Sequence, residues 1–127
     1  MHRWLLVVIG GGVGSLLRYL LSGWVQNQAR AVFPFGTLAV NLLGCACIGV
    51  LGAALDGRVL IRPEYRLFLM VGVLGGFTTF SSFAFESLKL SMDREFRLAL
   101  MNVLLSNVLG LFAAWLAYVL TRKVVGV

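Results

Sequence analysis

Acidic residues are scarce in this sequence: five Asp and Glu stand against 11 Lys and Arg among 127 residues, and only 13% of the chain is charged. A soluble domain carries roughly a quarter of its residues charged, so a water-facing fold is excluded. The single histidine, His2, sits at the terminus. No cluster of metal-ligating residues, no nucleophile beside a base and no phosphate-binding loop occurs, and an enzyme is not expected. The two cysteines, Cys45 and Cys47, are two apart in an apolar stretch, which turns them to different helix faces and disfavours a bridge. The two prolines, Pro34 and Pro63, both fall in links between apolar stretches.

What is present is apolar. Sixty per cent of the residues are hydrophobic and the mean hydropathy is +0.94. Roughly 20 apolar residues cross a bilayer, so the chain reads as one domain over residues 1–127, an all-α integral membrane protein of four transmembrane helices. The expected spans are Trp4 to Trp24, Gly36 to Leu55, Arg66 to Leu90 and Leu98 to Leu120. The start resembles the basic region of a signal peptide, but the apolar run continues without a small-residue cleavage site, so it is expected to stay as the first helix. The net charge of +6 does not point to nucleic acid, because the basic residues stand singly at the ends of apolar segments, as membrane flanks do.

One side of the membrane would carry Arg3, Arg58, Arg62, Arg66, Arg122 and Lys123, the other Arg30, Lys89, Arg94 and Arg97. Six against four is a weak bias, compatible with insertion in both orientations and an antiparallel homodimer. Gly10 and Gly14, and Gly72 and Gly76, are spaced for close helix approach. Four short helices make a thin wall, which favours function at a subunit interface.

Each polar residue within a span raises a question of function. Arg18 is either a snorkelling or paired arginine or a positive charge at the mouth of an anion path. Thr37, Asn41 and Cys45 form one stripe of the second span; Asn41 either joins helices by a hydrogen bond or donates to an anion without a trapping charge. In the third span, Gly75 to Thr79 interrupt the helix or form a glycine-lined crossing, and freed carbonyls there suit a hard cation such as Na+. Phe80 and Phe83 share a face beside Ser81, Ser82 and Glu86; their positive ring edges can meet a small anion, although packing is the commoner use of such a pair. Glu86 is a proton carrier, a helix-end charge or a vestibule residue. Asn102, Ser106 and Gly110 give the fourth span a polar face, with Asn107 beside it.

Gly11-Gly12-x-Gly14-x-x-x-Arg18-Tyr19, Gly36-Thr37-x-x-x-Asn41-x-x-Gly44 and Gly72-x-x-Gly75-Gly76-Phe77-Thr78-Thr79-Phe80-Ser81-Ser82-Phe83 together resemble the Fluc, or CrcB-like, fluoride channels of microorganisms. The resemblance covers all four spans; Ser82 stands where threonine is more frequent and keeps the hydroxyl. It implies a dual-topology antiparallel homodimer in the cell inner membrane, with a broken third helix and two pores that leak fluoride passively out of the cell and so confer fluoride resistance. It further implies a structural Na+ at the dimer centre on the carbonyls of Gly75 and Thr78. Phe80, Phe83 and Asn41 would line the pore, with Ser81, Thr37 and Ser106 on the polar track and Arg18 and Glu86 in vestibules. A small four-helix, proton-coupled multidrug or cation exporter is the alternative. It needs an acid in the first span, where this chain has Arg18 and none.

Overall fold

The computed structural model describes residues 2–56 and 61–126. Arg58, counted in the charge balance above, lies outside them. Helix α1 spans Arg3–Ala29, α2 Phe35–Asp56, α3 residues 63–77, α4 Phe80–Met92 and α5 Phe96–Val125. Helices α3 and α4 together form the third of four segments, among the described residues, long and apolar enough to cross a membrane. At 1.5 Å per residue the 27 residues of α1 reach about 40 Å and the 22 of α2 about 33 Å, enough for a hydrocarbon core of about 30 Å. All four segments exceed the spans expected from sequence, because polar flanking residues continue the helices. In α5, Arg122 and Lys123 occupy the last turn, where positive charge complements the helix dipole.

The ends of these helices have local causes. Arg30 closes α1 in the left-handed region (φ 47°) and its N–H donates to the Gln26 carbonyl. The Gln26 side chain then holds the link to α2: its Nε2 donates to the carbonyls of Ala31 at 2.8 Å and Phe33 at 3.1 Å, and its Oε1 accepts from Gly36 N–H at 3.0 Å. Pro63 begins α3, where its missing N–H costs nothing. From Leu67 to Val73 the helix widens into π turns, with the Leu74 N–H reaching back to Leu69 O.

Glycines set the close contacts. A Cβ on Gly10 would lie 2.7 Å from Phe68 O; one on Gly14 would strike Val73 O, and one on Gly76 would strike Gly11 O. The two spaced-glycine motifs thus face each other inside one chain, joining α1 to α3, rather than being left for a partner. Gly36 rests on Ser22 O of α1 and Gly49 on Ala114 O of α5. Helix α2 is therefore central, and Tyr118 of α5 donates to Asp56 Oδ2 at its end (3.0 Å). The buried core is small: Val40 and Asn102 are its largest fully enclosed side chains. Large apolar residues such as Leu111 and Leu20 lie exposed on the outer surface, as a lipid-facing surface requires.

The break in the third span is real but shorter than the stretch from Gly75 to Thr79. Gly75, Gly76 and Phe77 remain helical, and only Thr78 (φ −83°, ψ 154°) and Thr79 (φ −148°, ψ 118°) are extended. The glycine pair serves close packing, with Gly76 pressed on Gly11. Extension begins where a side chain of α2 captures the main chain.

Candidate functional site

That side chain is Asn41. Its Nδ2 donates to Thr79 O at 2.9 Å and its Oδ1 accepts from Thr79 N–H at 2.8 Å. In lipid an unpaired main-chain group has no water to turn to, so this pair of bonds replaces the helical ladder that the break interrupts. Arg18 does a related job from α1, its Nε donating to Gly76 O at 3.1 Å. Thr78 places its methyl over Gly44, and its hydroxyl donates back to Leu74 O at 3.0 Å. Thr79 then caps α4 by accepting from Ser82 N–H at 3.2 Å.

Three carbonyls at the break are left over. Among the described residues, no hydrogen bond reaches those of Gly75, Phe77 or Thr78. Gly75 is exposed, and a Cβ there would meet only Met70 O, at 4.0 Å. Uncommitted carbonyl oxygens of this kind are hard donors of the sort Na+ prefers, so the expected cation residues fit that role chemically.

The break forms one wall of an open groove of about 390 Å³. Asn41, Phe80, Phe83 and Ser106 line it, as do Gly75 and Thr78, while among the described residues no ionised side chain does. The two phenylalanine rings lie 5.4 Å apart and are tilted by 53°, so an edge of one is presented beside the face of the other. Phe83 is 8% exposed and Phe80 77%; the wall of the groove ends at Phe80. The donors available are neutral. One Nδ2 hydrogen of Asn41 remains after Thr79 takes the other, and the Ser106 hydroxyl makes only a long bond of 3.3 Å to Asn102 Oδ1.

The remaining expected residues divide. Thr37 and Glu86 line a second cavity, of about 490 Å³, with Lys89 and Asp93. The Thr37 hydroxyl donates to Glu86 Oε1 at 2.7 Å, while among the described residues the buried Oε2 has no partner. The stripe of Thr37, Asn41 and Cys45 is thereby split, since Asn41 and Cys45 line the groove. Ser81 is exposed at 3.3 Å from the Thr79 hydroxyl, and neither it nor Arg18 lines either cavity. Asn102 carries more than its place on a polar face suggested. It is 2% exposed, donates to Ser87 Oγ at 2.9 Å and receives Ser106, while Ser87 donates to Phe83 O at 2.8 Å. Ser87 has a single signal in the sequence, a hydroxyl four residues beyond Phe83.

Fold and groove together define a small multi-pass membrane protein whose interrupted third span walls an uncharged cleft, largely apolar with a few neutral polar side chains. The chain belongs to the CrcB-like protein family (Camphor Resistance, CrcB), whose pattern matches residues 5–118. It is 50% identical to the fluoride-specific ion channel FluC of Thermus thermophilus over 99% of this chain and 98% of that protein. It is 44% identical to the FluC of Solibacter usitatus (95% and 99%) and 41% identical to that of Parabacteroides distasonis (98% and 97%). These relatives are named as ion channels, which agrees with the expectation that the chain is not an enzyme.

Proposed function

We propose that this protein is a fluoride channel of the cell inner membrane, formed by two chains in antiparallel dual topology, with two pores that release cytoplasmic fluoride down its gradient. The single observation that carries this reading is the open, uncharged groove lined by the tilted Phe80–Phe83 pair together with Asn41 and Ser106. The names of its relatives supply the ion.

Fluoride is small and strongly hydrated, so a path for it must replace water without holding the ion. Neutral donors and aromatic edges do this better than a lysine or arginine, whose charge would trap an anion. The amide hydrogen left on Asn41, the Ser106 hydroxyl and the edge of Phe80 offer successive weak contacts. Glu86 and Thr37 stand in the separate charged cavity, which serves as a vestibule together with Lys89. Arg18 acts through the main chain, holding the end of α3.

A second copy would close the groove beside the exposed Phe80 and Gly75. Na+ would be held at the dimer centre by the Gly75 and Thr78 carbonyls, supplying positive charge that binds the two breaks together. Reporter fusions at the C-terminus test the topology: signal from both sides of the membrane is expected, and signal from one side only removes the antiparallel dimer. Fluoride efflux from proteoliposomes tests the transport reading; absence of flux under a gradient would refute it.

A further inference from the structure

A third cavity, of about 410 Å³, lies away from both others, between the start of α1 and the start of α3. Arg3 and Arg66 line it with Trp4, over an apolar floor of Val7, Leu67 and Val71. Both arginines are exposed, and among the described residues neither forms an ion pair or donates a side-chain hydrogen bond. Trp4 is 62% exposed and stacks on His2, with centroids 6.2 Å apart.

We propose that this cavity is a binding site for an anionic glycerophospholipid, with the phosphate between Arg3 and Arg66 and the upper acyl chain along Val7, Leu67 and Val71. The site combines a cationic rim with an apolar floor at the end of two spans. That depth is where tryptophan marks the headgroup region and where basic pockets between spans take acidic headgroups. A free phosphate ion would match the rim but leave the floor uncovered, whereas a phospholipid matches both.

The test uses the full chain carrying Trp24→Phe and Trp115→Phe, so that Trp4 alone fluoresces, reconstituted in phosphatidylcholine vesicles. Dibrominated phosphatidylglycerol and dibrominated phosphatidylcholine are titrated separately as quenchers. Each basic side chain near the surface strengthens binding of acidic lipid by roughly fivefold, so with two arginines phosphatidylglycerol should quench Trp4 at roughly 25-fold lower mole fraction. Arg3→Gln with Arg66→Gln should bring the two lipids within about twofold of each other. Equal quenching by both lipids in the parent overturns the proposal. So does no quenching by either, which would mean that a second copy covers the cavity. Loss of the preference on adding inorganic phosphate at the same phosphate concentration would identify a free-anion site instead and equally overturns it. A second measurement avoids the tryptophan changes. Phosphatidylglycerol retained per chain through delipidation should fall at least about threefold in the double arginine variant, and equal retention contradicts the site.

Discussion

One side chain of α2 satisfies both main-chain groups of a residue in the helix break: Asn41 donates to Thr79 O at 2.9 Å and accepts from Thr79 N–H at 2.8 Å. The amide therefore has two uses at once, fixing the break and leaving one hydrogen toward the groove. Asn41→Ala should abolish fluoride flux and lower stability by about 2 kcal/mol, since two half-buried main-chain groups lose partners. Asn41→Asp keeps the acceptor but sets a carboxylate against Thr79 O, and should not rescue flux. Thermal unfolding in detergent alongside proteoliposome efflux checks both. Normal flux in Asn41→Asp would mean that the amide donor is unnecessary.

Phe80 and Phe83 should separate transport from folding. Phe80 is 77% exposed in one chain and Phe83 only 8%. Phe80→Ile should leave stability within about 0.5 kcal/mol, as surface changes generally do, while Phe83→Ile costs about 1 kcal/mol by altering the shape of a packed site. Both should depress fluoride flux by at least about tenfold, the equivalent of one lost contact of about 1.4 kcal/mol, with the proposed dimer still assembled. Efflux rates and chromatographic size measure the two effects. Unchanged flux in both variants would remove the ring-edge contact from the account.

The adjacent glycines Gly75 and Gly76 should behave differently. A Cβ at Gly76 strikes Gly11 O, whereas at Gly75 the nearest atom is Met70 O at 4.0 Å. Gly76→Ala should destabilise the subunit itself by about 1–3 kcal/mol. Gly75→Ala should preserve the helical content of the chain but weaken the proposed dimer and its dependence on Na+, because in that dimer the free face of Gly75 would meet the partner. Circular dichroism and dimer dissociation with Na+ replaced by a larger cation distinguish them. Equal behaviour of the two variants would contradict the assignment.

Arg18 tests whether its charge or its reach matters. Its Nε donates to Gly76 O at the end of α3. If it holds that carbonyl, Arg18→Lys, whose ammonium sits at the end of a flexible stem rather than where the Nε stands, should lose flux and stability, and Arg18→Met should do the same. Rescue of flux by lysine, with a salt dependence like the parent's, would show that it acts as a charge at a pore mouth. Efflux across a salt series decides.

The sequence revealed the four spans because their apolar runs are long and their links polar, and it revealed an interruption because glycines and hydroxyls are out of place there. It could not locate the interruption. Thr78 and Thr79 are the extended residues because Asn41, 38 positions away, captures Thr79, and no local propensity encodes that contact. The spaced glycines were legible as contact points, but not that Gly10 and Gly14 meet residues around Gly72 and Gly76 of the same chain. Thr37 followed Asn41 on a helical stripe, yet it faces Glu86 in a different cavity. A one-turn step along α2 is enough to pass from one side of the break to the other. Asn102 showed only as part of a weak polar face; its burial and its bonds to Ser87 and Ser106 depend on how α4 lies against α5.

The most direct measurement is fluoride efflux from proteoliposomes containing the purified protein, followed with a fluoride electrode under an outward gradient and compared with chloride efflux. The protein should release fluoride rapidly and passively and chloride little, and Phe80→Ile should lose the fluoride release. No fluoride release by a folded protein, or release of chloride as fast as fluoride, would contradict the channel reading.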